Sequence, residues 1–453
     1  MSTQHPIRRE IRVLTRLAVP VAGGQLASML LWFVDLLMIG RVGVDALAAA
    51  SLGRTWLISV LIFAMGLIFG IDPIASQAHG ARDRETLGLA LQWGVTTALL
   101  AGIPSAILWA LTGHVMLLSG QEPELARLAQ EYALVQIPGL PFYLVFLALR
   151  QWLQARGIVR PAMWISILAN LANVFANWVL IYGNLGFPAL GLPGAGIATA
   201  LTQVFMFAAL ILVILRSRLH RGAWCGWSRR AYHLPDLRRV FAFGSPVGIQ
   251  LGLEFWAFAL ATLIAGWLGA AELASHTIVI NLASVTFMVP MGISSAAVTR
   301  VGNLLGAGSP LRAQRASWVA LGMGGVAMAF FALLFIWLRH FLPSLYTEDS
   351  RVLALSAAIL PVAAAFQVFD GLQVVGGGVL RGMGRTRPAA VFNFLAYYVL
   401  ALPLAIWWAL FGGGGLVALW WAQCLGLGVS AALVVLWIHV RGPARDVPEG
   451  LDP

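Results

Sequence analysis

The chain has 453 residues, of which 60% are hydrophobic and 10% charged, and its formal net charge is +11. Soluble domains carry about 25% charged residues, so a water-soluble enzyme of this length has too few charges to cover its surface, and the apolar excess must face lipid. A soluble multidomain enzyme, a disordered chain, a collagen and a disulfide scaffold are excluded.

A membrane-crossing helix needs about 20 apolar residues, roughly 30 Å, so this length accommodates about a dozen. The apolar segments are continuous rather than alternating, which favours helices over a barrel. The Arg-rich segment Met1 to Arg16 leads into a run too long for a cleaved signal sequence and reads as a retained first helix. Twelve spans are predicted, at 12–39, 46–72, 89–112, 128–152, 163–183, 194–215, 240–267, 274–299, 316–338, 353–380, 389–411 and 416–438. The expected organisation is a cytoplasmic N-terminus (1–11), an N-lobe of six helices (12–215), a cytoplasmic loop (216–239), a C-lobe of six helices (240–438) and a cytoplasmic tail (439–453).

All 29 basic residues are arginine, and they fall in short clusters between apolar runs rather than on one nucleic-acid-binding face. With both termini inside, only Arg41, Arg54, Arg127, Arg339 and Arg351 lie outside, leaving 24 of the 29 inside. That asymmetry predicts cytoplasmic termini in a bacterial inner membrane.

The halves repeat. At one constant offset Pro20 falls on Pro246, Gly40 on Gly266, Gly43 on Gly269, Gly66 on Gly292 and Gly80 on Gly306. Further along, the offset lengthens by a single position and the stretch 157–162 falls on 384–389, matching Gly157, Arg160, Pro161 and Ala162 with Gly384, Arg387, Pro388 and Ala389. Six helices repeated once keep their orientation, which predicts two pseudo-symmetric lobes about an axis along the membrane normal. Pro20, Pro246, Pro290, Pro361 and Pro403 lie inside spans and are expected to kink them.

Most acids sit in loops or at helix ends, where water or a helix start accommodates them; Asp72 is expected at the interface. Asp35, Glu254 and Asp370 are different, because each lies within a span. An acid at the bilayer centre costs a few kcal/mol and persists when it faces water, a partner or a cation. No arginine is expected at their depth. Gln250 precedes Glu254 by four residues and Gln367 precedes Asp370 by three, giving each acid an amide on its own helix face. Asn170, Asn173 and Asn177 form one stripe on the fifth span, where they serve as interhelical glue or meet Asp35. A carboxylate with amide oxygens is a hard-oxygen site for Na⁺. A carboxyl in low dielectric is a proton carrier, and an ionised one attracts organic cations.

Enzymatic signatures are missing. The sequence has no GxxxxGK[ST] and no lysine, so this chain does not drive transport with ATP; it has neither HExxH nor GxSxG. His79, His114, His276 and His340 are dispersed, which argues against a membrane-embedded enzyme.

The paired halves, together with Val34-Asp35-Leu36-Leu37-Met38-Ile39-Gly40, Ser76-Gln77-Ala78-His79-Gly80-Ala81, Gln154-Ala155-Arg156-Gly157 and Val379-Leu380-Arg381-Gly382-Met383-Gly384, resemble the multidrug and toxic compound extrusion (MATE) family, in its NorM-like bacterial branch. The resemblance covers about residues 10–440. It implies an all-α membrane protein of twelve helices in two lobes around a central cleft. It also implies a monomer without a cofactor that exports cationic amphipathic drugs and dyes in exchange for Na⁺ or H⁺. The family's second-lobe cation site falls on Glu254 and Asp370, which would ligate Na⁺ in a sodium-coupled member; its first-lobe site falls on Asp35, Asn173 and Asn177. Some Na⁺-coupled members carry Tyr one turn before the helix-ten acid, where this chain has Phe366. A lipid-linked precursor flippase is the alternative within the wider superfamily.

Overall fold

Local chemistry sets where the helices start, break and stop. The structure is a computed structural model that describes residues 6–445; the outer parts of the two expected terminal segments, with the last acids of the chain, lie outside the described residues. Among the described residues there is no strand, and twelve helices are long and apolar enough to cross a membrane. They are α1 (Pro6–Gly40), α2 (Val44–Gly80), α3 (Arg84–Ala110), α4 (Pro123–Ala155), α5 (Arg160–Tyr182), α6 (Leu192–Arg216), α7 (Leu234–Leu268), α8 (Ala270–Gly306), α9 (Pro310–Trp337), α10 (Ser350–Gly382), α11 (Thr386–Phe411) and α12 (Gly415–Arg441). Each predicted span has its helix. The helices run past the apolar runs into polar turns, because a backbone leaving the hydrocarbon keeps its internal hydrogen bonds until a cap or proline ends it.

Those ends follow from sequence. Asp83 caps α3, its side chain accepting from the Thr86 amide at 3.0 Å. Asp349 caps α10 by accepting from the Arg351 and Val352 amides. Prolines occupy the first turns of α4, α5, α6 and α9, where the missing N–H costs nothing. Inside spans, the ladder breaks or widens near Pro73 and Pro403, whereas α-helix runs uninterrupted through Pro20, Pro246, Pro290 and Pro361. α2 is interrupted at Phe69–Gly70, one turn before Pro73. α11 takes π-type wide turns over Phe394–Ala401 and Trp407–Phe411, on both sides of Pro403. Pro104 inside α3 joins the prolines expected within spans.

The chain divides into two compact units. One comprises Gly23–Gly248; the other comprises Met1–Ala22 with Ile249–Pro453. The two transfer points, after Ala22 and after Gly248, are themselves related by the repeat offset, and each lies two residues beyond the paired Pro20 or Pro246. The opening of α7 thus packs in the first unit, and the opening of α1 in the second.

Glycine makes both packings possible. A Cβ on Gly66 of α2 would lie 2.1 Å from the Gly248 Cα of α7. At the repeat-related position, a Cβ on Gly292 of α8 would lie 2.7 Å from the Ala18 carbonyl oxygen and 2.8 Å from the Ala22 Cβ of α1. Gly66 and Gly292 are repeat mates, and so are Ala22 and Gly248. The duplication therefore extends to individual helix contacts.

Within the first unit, one continuous apolar core runs through α2, α3, α4 and α6. The arginine-rich segment after α6 lies on α3, where Gln92 Nε2 donates to the Cys225 and Gly226 carbonyls and Trp93 Nε1 donates to the Arg230 carbonyl at 2.9 Å. In the second unit, Glu10 of α1 and Arg300 of α8 form a two-pronged ion pair at 2.7 Å, with both side chains largely buried.

Candidate functional site

Each unit carries its own buried carboxyl site. In the first, α1 supplies Asp35, which is 4% exposed. α5 answers it: Asn177 Nδ2 donates to Asp35 Oδ1 at 2.5 Å and to Asn173 Oδ1 at 3.0 Å. Thr199 of α6 places its single hydroxyl hydrogen between Asp35 Oδ2, at 3.4 Å, and the Ala195 carbonyl, at 3.1 Å. Asn173 and Asn177 are fully buried, and Asn173 Nδ2 and Asn177 Oδ1 have no protein partner. Asn170 of the same stripe turns elsewhere, donating to the Ala27 and Ser166 carbonyls at 2.9 Å.

Asp35 borders a cavity of about 120 Å³, whose walls include Trp32, Arg54, Tyr132, Gln136 and Gln203. Arg54 corrects the expectation that no arginine lies near the acids. Its guanidinium lies 3.8 Å over the Trp32 ring and donates to the Trp32 carbonyl at 3.2 Å, so it faces Asp35's cavity rather than an outer loop. A loop arginine and one a few turns into a helix look alike in composition; the stacking surface of Trp32 retains this one.

In the second unit, α7 supplies Glu254 and α10 supplies Asp370. Asp370 is 5% exposed, Glu254 is half-buried, and they are close enough for their charges to interact. Asn393 of α11 orients the site. Its Oδ1 accepts from Gln373 Nε2 and Ser430 Oγ, each at 2.9 Å, which turns its Nδ2 to Glu254 Oε2 at 3.3 Å. Fully buried Tyr397, one turn further along α11, feels both carboxyl charges, and its hydroxyl has no protein partner.

Of the two supporting amides expected on the acids' own helix faces, Gln367 has a partner on another helix. Gln367 Oε1 accepts from Thr286 Oγ1 at 2.8 Å, and Gln250 lies against Gly377. Helical spacing put them on the correct face but could not choose between an acid above and a neighbouring helix beside. Asn393 and Gln373 were missed. One signal was available: at the longer of the two repeat offsets, Asn393 is the mate of Ser166, which borders the first unit's cavity. Asp72, expected at the interface, is buried, and both its carboxyl oxygens accept from Gln151 Nε2, at 3.0 and 3.1 Å.

None of the ion pairs among the described residues includes Asp35, Glu254 or Asp370. Asp35 is held by an amide and a hydroxyl and Glu254 by an amide, while Asp370 has no hydrogen-bond partner among the described residues, which leaves oxygen lone pairs for a cation or a proton.

Known proteins share this architecture. The model of the MatE family matches this chain twice, over residues 20–179 and 246–407. The chain is 36% identical over 441 residues to a probable multidrug resistance protein NorM of Pseudomonas putida, covering 95% of each. It is 34% identical over 439 residues to one from Burkholderia mallei, covering 95% of this chain and 93% of that protein. Its fold matches the crystal structure of the eukaryotic MATE transporter AtDTX14 with a TM-score of 0.89 at 25% identity, over 98% of this chain and 99% of that one. Matched in both halves and along nearly its whole length, this chain belongs to the MatE family of membrane transporters.

Proposed function

We propose that this protein is a secondary multidrug exporter, and not an enzyme, that expels cationic amphipathic compounds in exchange for Na⁺ or H⁺. The relatives' names support multidrug efflux. The observation that carries the exchange is the pair Glu254 and Asp370: two carboxyl groups near enough to repel, with no arginine paired to either. Two ionised carboxylates at such range in a poorly solvated site favour uptake of a cation or proton. Asp35, with Asn173 and Asn177, forms the corresponding site of the first unit, and a cargo cation competes with the coupling ion at all three carboxyl groups. Gln250 and Gln367 stay outside this scheme. Binding of ion and cargo to different conformations drives alternating access, each ligand shifting the equilibrium only as far as its affinities differ. Both termini face the cytoplasm of a bacterial inner membrane in this reading, and the protein acts as a monomer.

Reconstitution into vesicles tests it. With ΔpH and ΔNa⁺ imposed separately, one gradient drives efflux of a cationic dye. Glu254→Gln and Asp370→Asn each slow that efflux by about tenfold or more, equivalent to about 1.4 kcal/mol on the barrier. Wild-type rates in both variants would remove the pair from the mechanism.

A further inference from the structure

Glu254, Phe258 and Thr262 follow one another at four-residue intervals and form one stripe along α7, rising about 6 Å per step. Thr262 lies six residues before the helix end at Leu268, roughly 9 Å, and Glu254 lies fourteen before it, roughly 21 Å. Next to this stripe is a separate cavity of about 10 Å³, bordered by Phe258, His276, Phe366, Trp420 and Gln423 among others. It lies between the carboxyl pair and the end of the second unit.

The hydrogen bonds around this cavity fix its chemistry. Thr262 donates its one hydroxyl hydrogen to the Phe258 carbonyl at 2.9 Å, so its oxygen accepts from His276 Nε2 at 3.1 Å. His276 is then the neutral Nε2–H imidazole, with a bare acceptor at Nδ1. His276 Nδ1, Trp420 Nε1 and both polar atoms of Gln423 have no protein partner, although the three side chains are only 3%, 3% and 4% exposed. The inventory is two acceptors and two donors, the complement of one water molecule, and the cavity is about the size that holds one. No charged side chain borders it. The titratable groups around it are Glu254, Asp370 and Tyr397 on the inner side, Cys424 beside Gln423, and Glu272 one turn before His276, which is paired with Arg351 at 3.0 Å.

We propose that His276, Trp420 and Gln423 hold one water here, and that this water and the imidazole relay protons between the end of the unit and the Glu254–Asp370 pair. The proposal rests on the reading of that pair as the coupling site and adds that the coupling ion is a proton. A proton arriving from the aqueous side binds Nδ1, and the water turns a lone pair to the new N–H. Passing that proton to a carboxylate restores the bare Nδ1. Phe258 and Phe366, edge to face with centroids 5.9 Å apart, stand between water and carboxyls, so transfer requires these rings to part. Phe366 lies one turn before Asp370, which places the gate directly over the acid. The three polar residues act as positioning and relay groups and do not touch cargo.

The test uses the full-length protein. A density map that resolves ordered water shows one peak within about 3 Å of His276 Nδ1 and Trp420 Nε1. His276→Asn keeps an acceptor for the water but cannot carry the charge; Gln423→Leu removes two of the water's partners. Both slow ΔpH-driven dye efflux by about tenfold, equivalent to about 1.4 kcal/mol, while dye binding is unchanged. A dry cavity, a larger occupant, wild-type proton-driven rates in either variant, or dye binding lost together with rate overturns the relay. Efflux driven by ΔNa⁺ alone overturns it as well, and leaves the carboxyl pair as coupling site. Unaltered efflux in Glu254→Gln and Asp370→Asn defeats instead the reading beneath it.

Discussion

Asp35 shows how much one amide can decide. Its shortest bond comes from Asn177, whose other hydrogen goes to Asn173, so the two asparagines hold one carboxyl oxygen as a unit. Asn177→Leu removes that donor and leaves Asp35 with only the shared Thr199 hydroxyl. The expected cost is about 1–3 kcal/mol in stability, the range for stranding a buried polar group. It is read as a lower melting temperature in detergent, and Asp35→Asn in the same background recovers part of the loss because a neutral amide is cheaper to strand. No recovery means the carboxyl charge is not what Asn177 stabilises. The acids themselves were legible in the sequence because a charge inside a span is expensive wherever it points. Their partners were only half legible. Asn173 and Asn177 stood out as a polar stripe on an apolar helix, whereas Asn393 and Arg54 reach their sites across helix–helix contacts that no single-helix period encodes.

At the scale of helices, caps and close contacts give separate predictions. Side-chain and backbone hydrogen bonds from Thr86 hold the Asp83 carboxyl below its ordinary value. A depressed carboxyl stabilises the fold above its unfolded value of about 3.9, and the gain is lost as pH falls through the folded value. Asp83→Ala therefore costs about 1 kcal/mol at neutral pH. Melts of the two proteins converge as pH drops below about 4; a gap independent of pH contradicts the charged cap. Gly66→Ala forces a methyl group onto the Gly248 backbone and is expected to cost about 1–3 kcal/mol as overpacking. Gly292→Ala, with a nearest approach of 2.7 Å instead of 2.1 Å, costs less in the same melting assay; the reverse order contradicts the packing described. All twelve helices were legible, since a span must be long, apolar and internally hydrogen-bonded. The wide turns of α11 were foreseeable from Pro403 only as a kink, and the break at Phe69–Gly70, beside a proline just past the predicted span, was not foreseen, because proline removes a bond without saying how neighbouring turns re-form theirs.

For the whole molecule, the duplication explains more than the helix count. The starts of the two family matches, at residues 20 and 246, are separated by the repeat offset. The transfer points between units obey the same offset, and so do the glycine contacts that seat α1 and α7. The polar contents have diverged on this shared frame. Asp35 has Ala261 as its repeat mate and Glu254 has Ser28, so each unit places its acid where the other has a small side chain. In the proposed mechanism these acids take up coupling ion and cargo in alternation. Equilibrium dye binding to purified protein, titrated with H⁺ and separately with Na⁺, decides whether they do. Linkage requires that an ion which competes with the dye weaken its binding by the factor by which the dye weakens the ion's. One of the two ions is expected to weaken dye binding to the wild type, and Glu254→Gln combined with Asp370→Asn to abolish or sharply reduce this dependence. Dye affinity indifferent to both ions in the wild type, or equally ion-sensitive in the double variant, contradicts the proposed mechanism.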